Sequence, residues 1–359
     1  MSRPDWAKWL PSEATAAIDR FAKGLWEQLG LLPERQPRGD RLELEAIEEL
    51  QPGDAWRERF EAMWPTYQSW YLAEGDAARP SYAACRRALA DHMPELVPTY
   101  ERLVELAGGG DLAARLLSLY RPPGFIVGCT QGAWTRGEPL LVRNYDYPAE
   151  RLEGIVSLSQ WGERRVIGMS DCLWGLLDGM NDAGLCVSLT FGGRPDVGDG
   201  FAIPLVVRYV LETCDDVAAA REALARIPVH APQNLTLLDR SGAYLTAYVG
   251  PGREPRFVDV AGTTNHQGEV EWPEYAEAIR SEEREQCVLK LLGSADREAF
   301  EDAFLEPPLH STEHGRGFGT IYTAAYEPGA GRVRYRWPDV VWEQSFERFE
   351  PGSRTVTLS

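Results

Sequence analysis

The sequence predicts an α+β fold, in which helices and strands occupy separate stretches of the chain. From Pro4 to Leu119, apolar residues recur at three- and four-residue spacing, the period of an amphipathic helix. After Arg121-Pro122-Pro123-Gly124 the pattern changes to the β-branched, alternating runs of strands. Blocks of strands, helices and strands follow, and this segregation is typical of α+β proteins.

The N-terminal region is predicted to be helical. Pro and Gly breakers separate four segments with helical periodicity: Trp6 to Leu29, Leu42 to Leu50, Asp54 to Glu74 and Tyr82 to Ala107. The region holds six of the twelve tryptophans, and at helical spacing these rings indicate a packing surface rather than a ligand cage. We therefore expect residues 1–128 to form a helical region that stays docked on residues 129–359.

The stretch from Phe125 to Tyr147 predicts a hairpin of two antiparallel strands around a turn at Thr135 to Pro139. Such a hairpin brings Arg143 and Asp146 beside Cys129. A cysteine in an apolar strand is most often a core residue. A thiol grouped with a guanidinium and a carboxylate also suits acyl chemistry, because the thiolate attacks carbonyl carbon and charged neighbours set its ionisation.

The rest of the chain predicts further strands and helices. The strands are Ile155 to Trp161, Arg165 to Met169, Leu173 to Leu177, Leu185 to Phe191, Asn234 to Asp239, Ala243 to Val249, Gly319 to Tyr326 and Arg332 to Trp337. The helices are Ile203 to Thr213, Asp216 to Ala225 and Glu274 to Leu292. The segment from Asp178 to Gly184 has the Asn, Asp and Gly residues of a tight turn.

Composition excludes several classes of function. The formal net charge of −18 argues against nucleic acid or an anionic membrane as a partner, since both select for clustered positive charge. Lysine occurs only at Lys8, Lys23 and Lys290, so the chain has no Gly-Lys-Ser/Thr phosphate loop. The six cysteines form no Cys-x-x-Cys and the five histidines no His-Glu-x-x-His. We expect neither a cofactor nor a metal.

The sequence also predicts where the protein works. No run of about eighteen apolar residues occurs, and residues 1–30 mix charges with hydrophobic residues instead of forming the apolar core of a signal peptide. Reduced thiols are the default for such a chain. We therefore expect a soluble cytoplasmic protein without a membrane partner.

Four sequence landmarks follow each other in order. Cys129-Thr130 opens a strand and Arg-Asn-Tyr-Asp ends its partner; Asp-Gly-Met-Asn begins at Asp178, Asn234 opens Asn-Leu-Thr-Leu-Leu, and Arg284 lies on the last predicted helix. From Gly128 to about Trp337 the chain resembles the N-terminal nucleophile (Ntn) hydrolases that use cysteine. Within them it resembles the choloylglycine hydrolases and the C45 peptidase group of acyl-CoA:6-aminopenicillanic acid acyltransferases.

This resemblance implies a four-layer αββα sandwich and a self-processing enzyme. Cys129 is the implied nucleophile, which first cuts the bond between Gly128 and Cys129. A glycine there tolerates the strained backbone that the attack needs. The freed α-amino group then acts as general base, with a pKa of about 8 that suits a thiol near 8.5. The two chains stay together as a heterodimer, and higher oligomers are left open.

The resemblance also implies roles for the other site residues. Arg143 orients the thiol, Asp146 orients the freed amine, and the side-chain amide of Asn234 donates to the oxyanion. Arg284 lies near the nucleophile, with Arg280 as a competing assignment. The implied activity is hydrolysis or acyl transfer on a linear amide bond of a small molecule, through a thioester at Cys129.

Three other interpretations are open at this stage. A papain-like cysteine hydrolase without self-cleavage would need a histidine base, for which His266 and His314 are candidates. An Ntn-fold binding protein would keep the fold without catalysis. The helical N-terminal region could be the working part of an interaction protein.

Overall fold

The structure is a computed structural model that describes residues 41–124, 127–314 and 319–358. The predicted helix from Trp6 to Leu29 lies outside these residues. The longer helices are α1 (Asp54–Tyr71), α2 (Tyr82–His92), α3 (Val97–Leu106), α4 (Asp111–Leu117), α5 (Ile203–Thr213), α6 (Val217–Leu224), α7 (Pro273–Ala278), α8 (Ser281–Ser294) and α9 (Arg297–Asp302). None of the helices in the described ranges has the length and apolar character needed to cross a membrane.

The strands are β1 (Arg41–Glu48), β2 (Gly128–Trp134), β3 (Leu140–Asp146), β4 (Ile155–Ser159), β5 (Val166–Asp171), β6 (Gly175–Asn181), β7 (Leu185–Phe191), β8 (Gln233–Asp239), β9 (Tyr244–Val249), β10 (Arg256–Val258), β11 (Gly262–Thr263), β12 (Thr320–Glu327), β13 (Arg332–Trp337), β14 (Val340–Ser345) and β15 (Gly352–Thr357).

These strands form two sheets that face each other. One sheet has nine strands in the order β10-β9-β8-β7-β6-β5-β4-β1-β15, and the other has six in the order β11-β2-β3-β12-β13-β14. Strand β2 of the second sheet packs against β7 and β8 of the first. Helices α5 and α6 cover the outer face of the nine-stranded sheet, while α8 packs on β2 and β11. The layers are therefore helix, sheet, sheet and helix, which confirms the predicted α+β sandwich.

Strand β1 corrects the prediction of a helix from Leu42 to Leu50. Leu42, Leu44 and Ala46 are buried, and the residues between them point to solvent, so the period is two. This strand runs parallel to β4 and antiparallel to β15 inside the nine-stranded sheet. The described part of the N-terminal region is otherwise helical as predicted, but it also contributes one strand to the sheet.

Three other predicted elements differ in the structure. Asp178 to Asn181 belong to strand β6 rather than to a turn, and they are buried because the sheet is covered on both faces. The single helix predicted from Glu274 to Leu292 is two helices, because Arg280 takes a left-handed φ of 55° between α7 and α8. The segment from Tyr82 to Ala107 is likewise divided, at Met93 before Pro94.

The N-terminal helices share one hydrophobic core with the nine-stranded sheet. Trp56, Tyr71 and Tyr100 pack in the same cluster as residues of β6, β7 and α5. Two indoles cross the boundary with hydrogen bonds, since Trp56 Nε1 donates to Leu173 O at 3.0 Å and Trp174 Nε1 donates to Leu117 O at 2.9 Å. Such burial favours docking whether or not the chain is continuous at residue 128.

Candidate active site

The thiol of Cys129 lies in the middle of the sandwich. Cys129 is the second residue of β2, opposite Tyr145 on β3, and it has no exposed surface. Arg143 Nη2 donates to Cys129 Sγ at 3.4 Å, and the same guanidinium stacks on the Tyr145 ring at 4.6 Å. The predicted hairpin therefore places this arginine against the thiol.

Arg143 is itself held by a buried polar network. Its Nη1 donates to the Asp178 carboxylate, which also accepts hydrogen bonds from the hydroxyls of Tyr322 and Tyr326. Arg143 and Asp178 are both fully buried. Because the Asp178 charge balances the guanidinium, an arginine can be kept beside the Cys129 thiol in a buried core.

We expect Asp178→Ala to lower the free energy of unfolding by about 3–5 kcal/mol, because it leaves the Arg143 charge buried and unpaired. Asp178→Asn keeps an acceptor and is expected to cost less. Glu283→Ala, which breaks the exposed Arg280–Glu283 pair, is a control expected to change little. Urea denaturation of the three variants measures the difference, and equal losses for Asp178→Ala and Glu283→Ala would contradict the role of Asp178.

Asp146 faces the predicted cleavage site across the hairpin. It pairs with Gly128 in the register of β2 and β3, and a Cβ atom at Gly128 would lie 3.1 Å from Asp146 Cβ. Its carboxylate accepts from Thr320 Oγ1 at 2.7 Å and from Arg284 Nη1 at 3.1 Å. Burial raises the pKa of the Asp146 carboxyl above its ordinary value, while Arg284 and Thr320 oppose that rise.

Arg284 reaches the backbone of Cys129. Its Nη1 donates to Cys129 O at 2.9 Å and to Thr130 Oγ1 at 2.7 Å. Arg280, by contrast, is exposed and pairs with Glu283. The structure thus brings Arg284 and not Arg280 to Cys129.

Asn265 is a site residue that the sequence analysis did not assign. Its Oδ1 accepts from Cys129 N at 3.0 Å and from Arg284 Nη2 at 2.9 Å, and its Nδ2 donates to Val127 O at 3.2 Å and Phe191 O at 3.3 Å. The N–H donors face the amide oxygen and the carbonyl acceptors face the amide nitrogen, so the orientation of the side chain is fixed. Asn265 therefore bridges the residues on both sides of the Gly128–Cys129 bond.

Asn234, the predicted oxyanion donor, contacts the chain on both sides of Asn265. Its Nδ2 donates to Thr264 O at 3.0 Å, to His266 O at 2.9 Å and to Thr190 Oγ1 at 3.1 Å. These contacts brace the segment that carries Asn265. The assignment of Asn234 to the oxyanion stays a prediction.

The protonation of Cys129 limits its chemistry. Burial raises the pKa of the thiol to about 11, although Arg143 and Arg284 lower it. The thiol is therefore protonated near neutral pH, and attack on a carbonyl needs a base to take the proton.

His266 is engaged away from Cys129. One ring nitrogen, Nδ1, lies 2.8 Å from Ser281 Oγ, and the other, Nε2, lies 3.0 Å from Glu285 Oε2. In a Cys-His pair, one ring nitrogen faces the thiol. His266 does not have this geometry, because both of its ring nitrogens face other partners.

Comparison with known families identifies the type of protein. Residues 134–341 match the model of a family described as acyl-coenzyme A:6-aminopenicillanic acid acyl-transferase. The chain belongs to this family. The match covers more than half of the chain and begins C-terminal to Cys129. Membership confirms the family that the sequence resembles and the prediction of an enzyme of the acyl-transferring or amide-hydrolysing kind.

Solved structures of low sequence identity are also similar to this family member. A penicillin V acylase from Agrobacterium tumefaciens has a TM-score of 0.45 and 15% identity, with 64% of this chain and 92% of that chain covered. A mutant conjugated bile acid hydrolase from Clostridium perfringens has a TM-score of 0.43 and 12% identity, covering 63% and 96%. The Caenorhabditis elegans orthologue of N-acylethanolamine-hydrolyzing acid amidase has a TM-score of 0.40 and 14% identity, covering 64% and 99%. A search of curated proteins finds no significant match.

Proposed function

We propose that this protein is a self-processing cysteine amidohydrolase or acyltransferase that acts on a linear amide bond of a small molecule through a thioester at Cys129. The observation that carries the proposal is the setting of the thiol. Arg143 donates to Cys129 Sγ, while Asn265 and Arg284 hold the nitrogen and carbonyl oxygen of the same residue. A nucleophile fixed at three points can be aimed at one carbonyl carbon.

Self-cleavage supplies the base that the site needs. In the uncut chain the nitrogen of Cys129 is an amide, which accepts no proton. Attack of Sγ on the Gly128 carbonyl carbon forms a thioester and breaks the Gly128–Cys129 bond, and the thiol proton passes to the departing nitrogen of Cys129. Water then hydrolyses the thioester, which restores the thiol and leaves residues 1–128 with a free carboxylate. The nitrogen becomes an amine with a pKa of about 8, which can take the thiol proton. Cleavage thus provides a proton acceptor for the Cys129 thiol, whose pKa is raised by burial.

Cleavage also supports an oxyanion role for Asn265. Before the cut, one N–H of its Nδ2 is used by Val127 O. Once the end of the N-terminal chain departs, that N–H is free to meet the oxygen of an incoming acyl group. Hydrogen-bond donors preorganised in a buried site are effective at stabilising a tetrahedral oxyanion.

The division of the chain and its location belong to the same proposal. Residues 1–128 would remain attached to residues 129–359 through the shared hydrophobic core and through β1, giving a heterodimer. All six cysteines are free thiols in the structure, which suits a reducing cytoplasm. Transfer to an amine and hydrolysis share the thioester and differ only in the acceptor.

Two mass measurements test the function. The purified protein should give two chains that meet between residues 128 and 129. After incubation with a panel of acyl p-nitroanilides and an acid quench, the chain from 129 to 359 should gain the mass of one acyl group on Cys129, and hydroxylamine should remove it, as expected of a thioester. Cys287→Ser is the matched control, because Cys287 is the more accessible thiol and should be dispensable. An adduct on Cys287, or none with any acyl group, would contradict the proposal.

A further inference from the structure

The backbone N–H of Asn265 begins a chain of hydrogen bonds that ends on helix α8. It donates to Ser281 Oγ at 2.9 Å, and Ser281 Oγ lies 2.8 Å from His266 Nδ1. His266 Nε2 lies 3.0 Å from Glu285 Oε2. Ser281 is fully buried and His266 is 3% exposed, so the contacts of Ser281 Oγ are shielded from water, whereas Glu285 at the far end is partly exposed.

For a neutral imidazole, hydrogen-bond chemistry fixes the direction of these hydrogen bonds. A carboxylate only accepts, so the proton on the imidazole belongs on Nε2, facing Glu285. A neutral imidazole then has an acceptor at Nδ1, and the Ser281 hydroxyl donates to it. With its hydrogen used there, Ser281 Oγ offers a lone pair to the N–H of Asn265.

Further contacts tie the same segment to the start of helix α8. Thr264 Oγ1 donates to Ser281 O at 2.8 Å. Arg280, just before Ser281, has a left-handed φ of 55°, a strained conformation for a residue with a side chain. Helix α8 therefore begins at Ser281, and this first residue of the helix lies directly beside the segment from Thr264 to His266.

We propose that Ser281, His266 and Glu285 are positioning residues that hold Asn265 against Cys129. The inference rests on the function proposed above, in which Asn265 contacts the reacting acyl group. Without these hydrogen bonds the backbone of Asn265 is less restrained. Its side-chain amide then samples orientations in which it does not donate to the oxyanion. Supporting residues of this kind typically cost about 10–100-fold when removed, and loss of orientation falls on kcat.

The proposal differs from a catalytic role for His266. A histidine base would act on the thiol, and its partners Ser281 and Glu285 would matter only through its ring. If these residues position Asn265, each hydrogen bond of the series is needed, and Ser281 is the residue that contacts Asn265 directly. Ser281→Ala is therefore the decisive variant, since it leaves His266 present.

Kinetics of five variants form the first part of the test. We expect Ser281→Ala and Glu285→Ala to lower kcat per cleaved chain by about 10–100-fold, with KM changed by less than about threefold. Glu285→Gln keeps an acceptor for Nε2–H and should restore kcat to within about threefold. Glu282→Ala is the control, because Glu282 is exposed on the same helix. Wild-type kcat in Ser281→Ala would overturn the proposal, as would a large loss on His266→Gln with Ser281→Ala silent.

The second part of the test uses NMR and hydrogen exchange. It tests the hydrogen bonds around Asn265 even if the protein shows no enzyme activity. In protein with ¹⁵N-labelled histidine, His266 should show the tautomer with the proton on Nε2; the five histidines are assigned by comparison with His266→Gln. Hydrogen exchange at the Asn265 amide should be at least about tenfold faster in Ser281→Ala, because its acceptor is gone. A proton on Nδ1, or unchanged exchange, refutes the hydrogen-bond chain. No cleavage and no acylation in the wild type, with the tautomer and exchange as expected, refutes the proposed function alone.

Discussion

Cys129→Ala is expected to give a single uncut chain of 359 residues with no measurable turnover. The same thiol drives both steps of the proposal, since it attacks the Gly128 carbonyl during maturation and the substrate carbonyl during catalysis. Alanine removes only Sγ and leaves Arg143 paired with Asp178, so the fold should persist. Intact-mass measurement and turnover assays of the variant and the wild type check both results.

Two further variants make this result specific. Cys287→Ser should be cut and active like the wild type. Asp146→Ala should be cut more slowly, because Asp146 lies opposite Gly128 and is held by Arg284 and Thr320. An intact chain in active wild-type protein would leave a cysteine hydrolase that needs another base. Cleavage of Cys129→Ala at the same bond would instead indicate an external protease.

The central hairpin could be predicted from sequence because its signals are local. Two strand-like runs on either side of the turn at Thr135 to Pro139 predict both strands and their pairing, and the observed register brings Arg143 and Asp146 to Cys129. Helix α5 was predicted with its observed bounds for the same reason, since its apolar periodicity lies within eleven residues.

The elements that were missed depend on partners far along the chain. Strand β1 has exposed Glu residues between buried apolar ones, and it becomes a strand because it pairs with β4 on one side and β15 on the other. Asp178 has the composition of a turn, yet in β6 it meets Arg143, Tyr322 and Tyr326 from the other sheet. Propensity at these positions is overridden by tertiary contacts.

Asn265 was missed for a related reason. It lies in Thr-Thr-Asn-His, a short polar segment that gives no signal of a site by itself. Its position depends on Ser281, sixteen residues later, and on Cys129, 136 residues earlier. The one available hint was its place directly between a predicted hairpin and the helix that carries Arg284. Single-sequence patterns do not encode such distances.

Asn265→Ala is expected to lower kcat by about 10²–10³-fold, the loss typical of one oxyanion donor. Asn265→Asp separates its two functions, because the carboxylate keeps acceptors for Cys129 N and Arg284 Nη2 but lacks the N–H groups of Nδ2. If the donor is what matters, the two variants should lose kcat alike. Turnover is measured per cleaved chain, so that slow maturation is not counted as slow catalysis.

Asn234 provides the discriminating comparison. The family resemblance implies that Asn234 is a direct oxyanion donor and that Asn234→Ala lowers turnover by about a hundredfold or more. The structure offers a second route, since Asn234 Nδ2 braces the carbonyl groups of Thr264 and His266 on either side of Asn265. A double-mutant cycle separates them. If Asn234 acts through Asn265, the combined variant should be little worse than Asn265→Ala. Losses that multiply would instead show two independent donors, and full activity in Asn265→Ala would return the oxyanion role to Asn234.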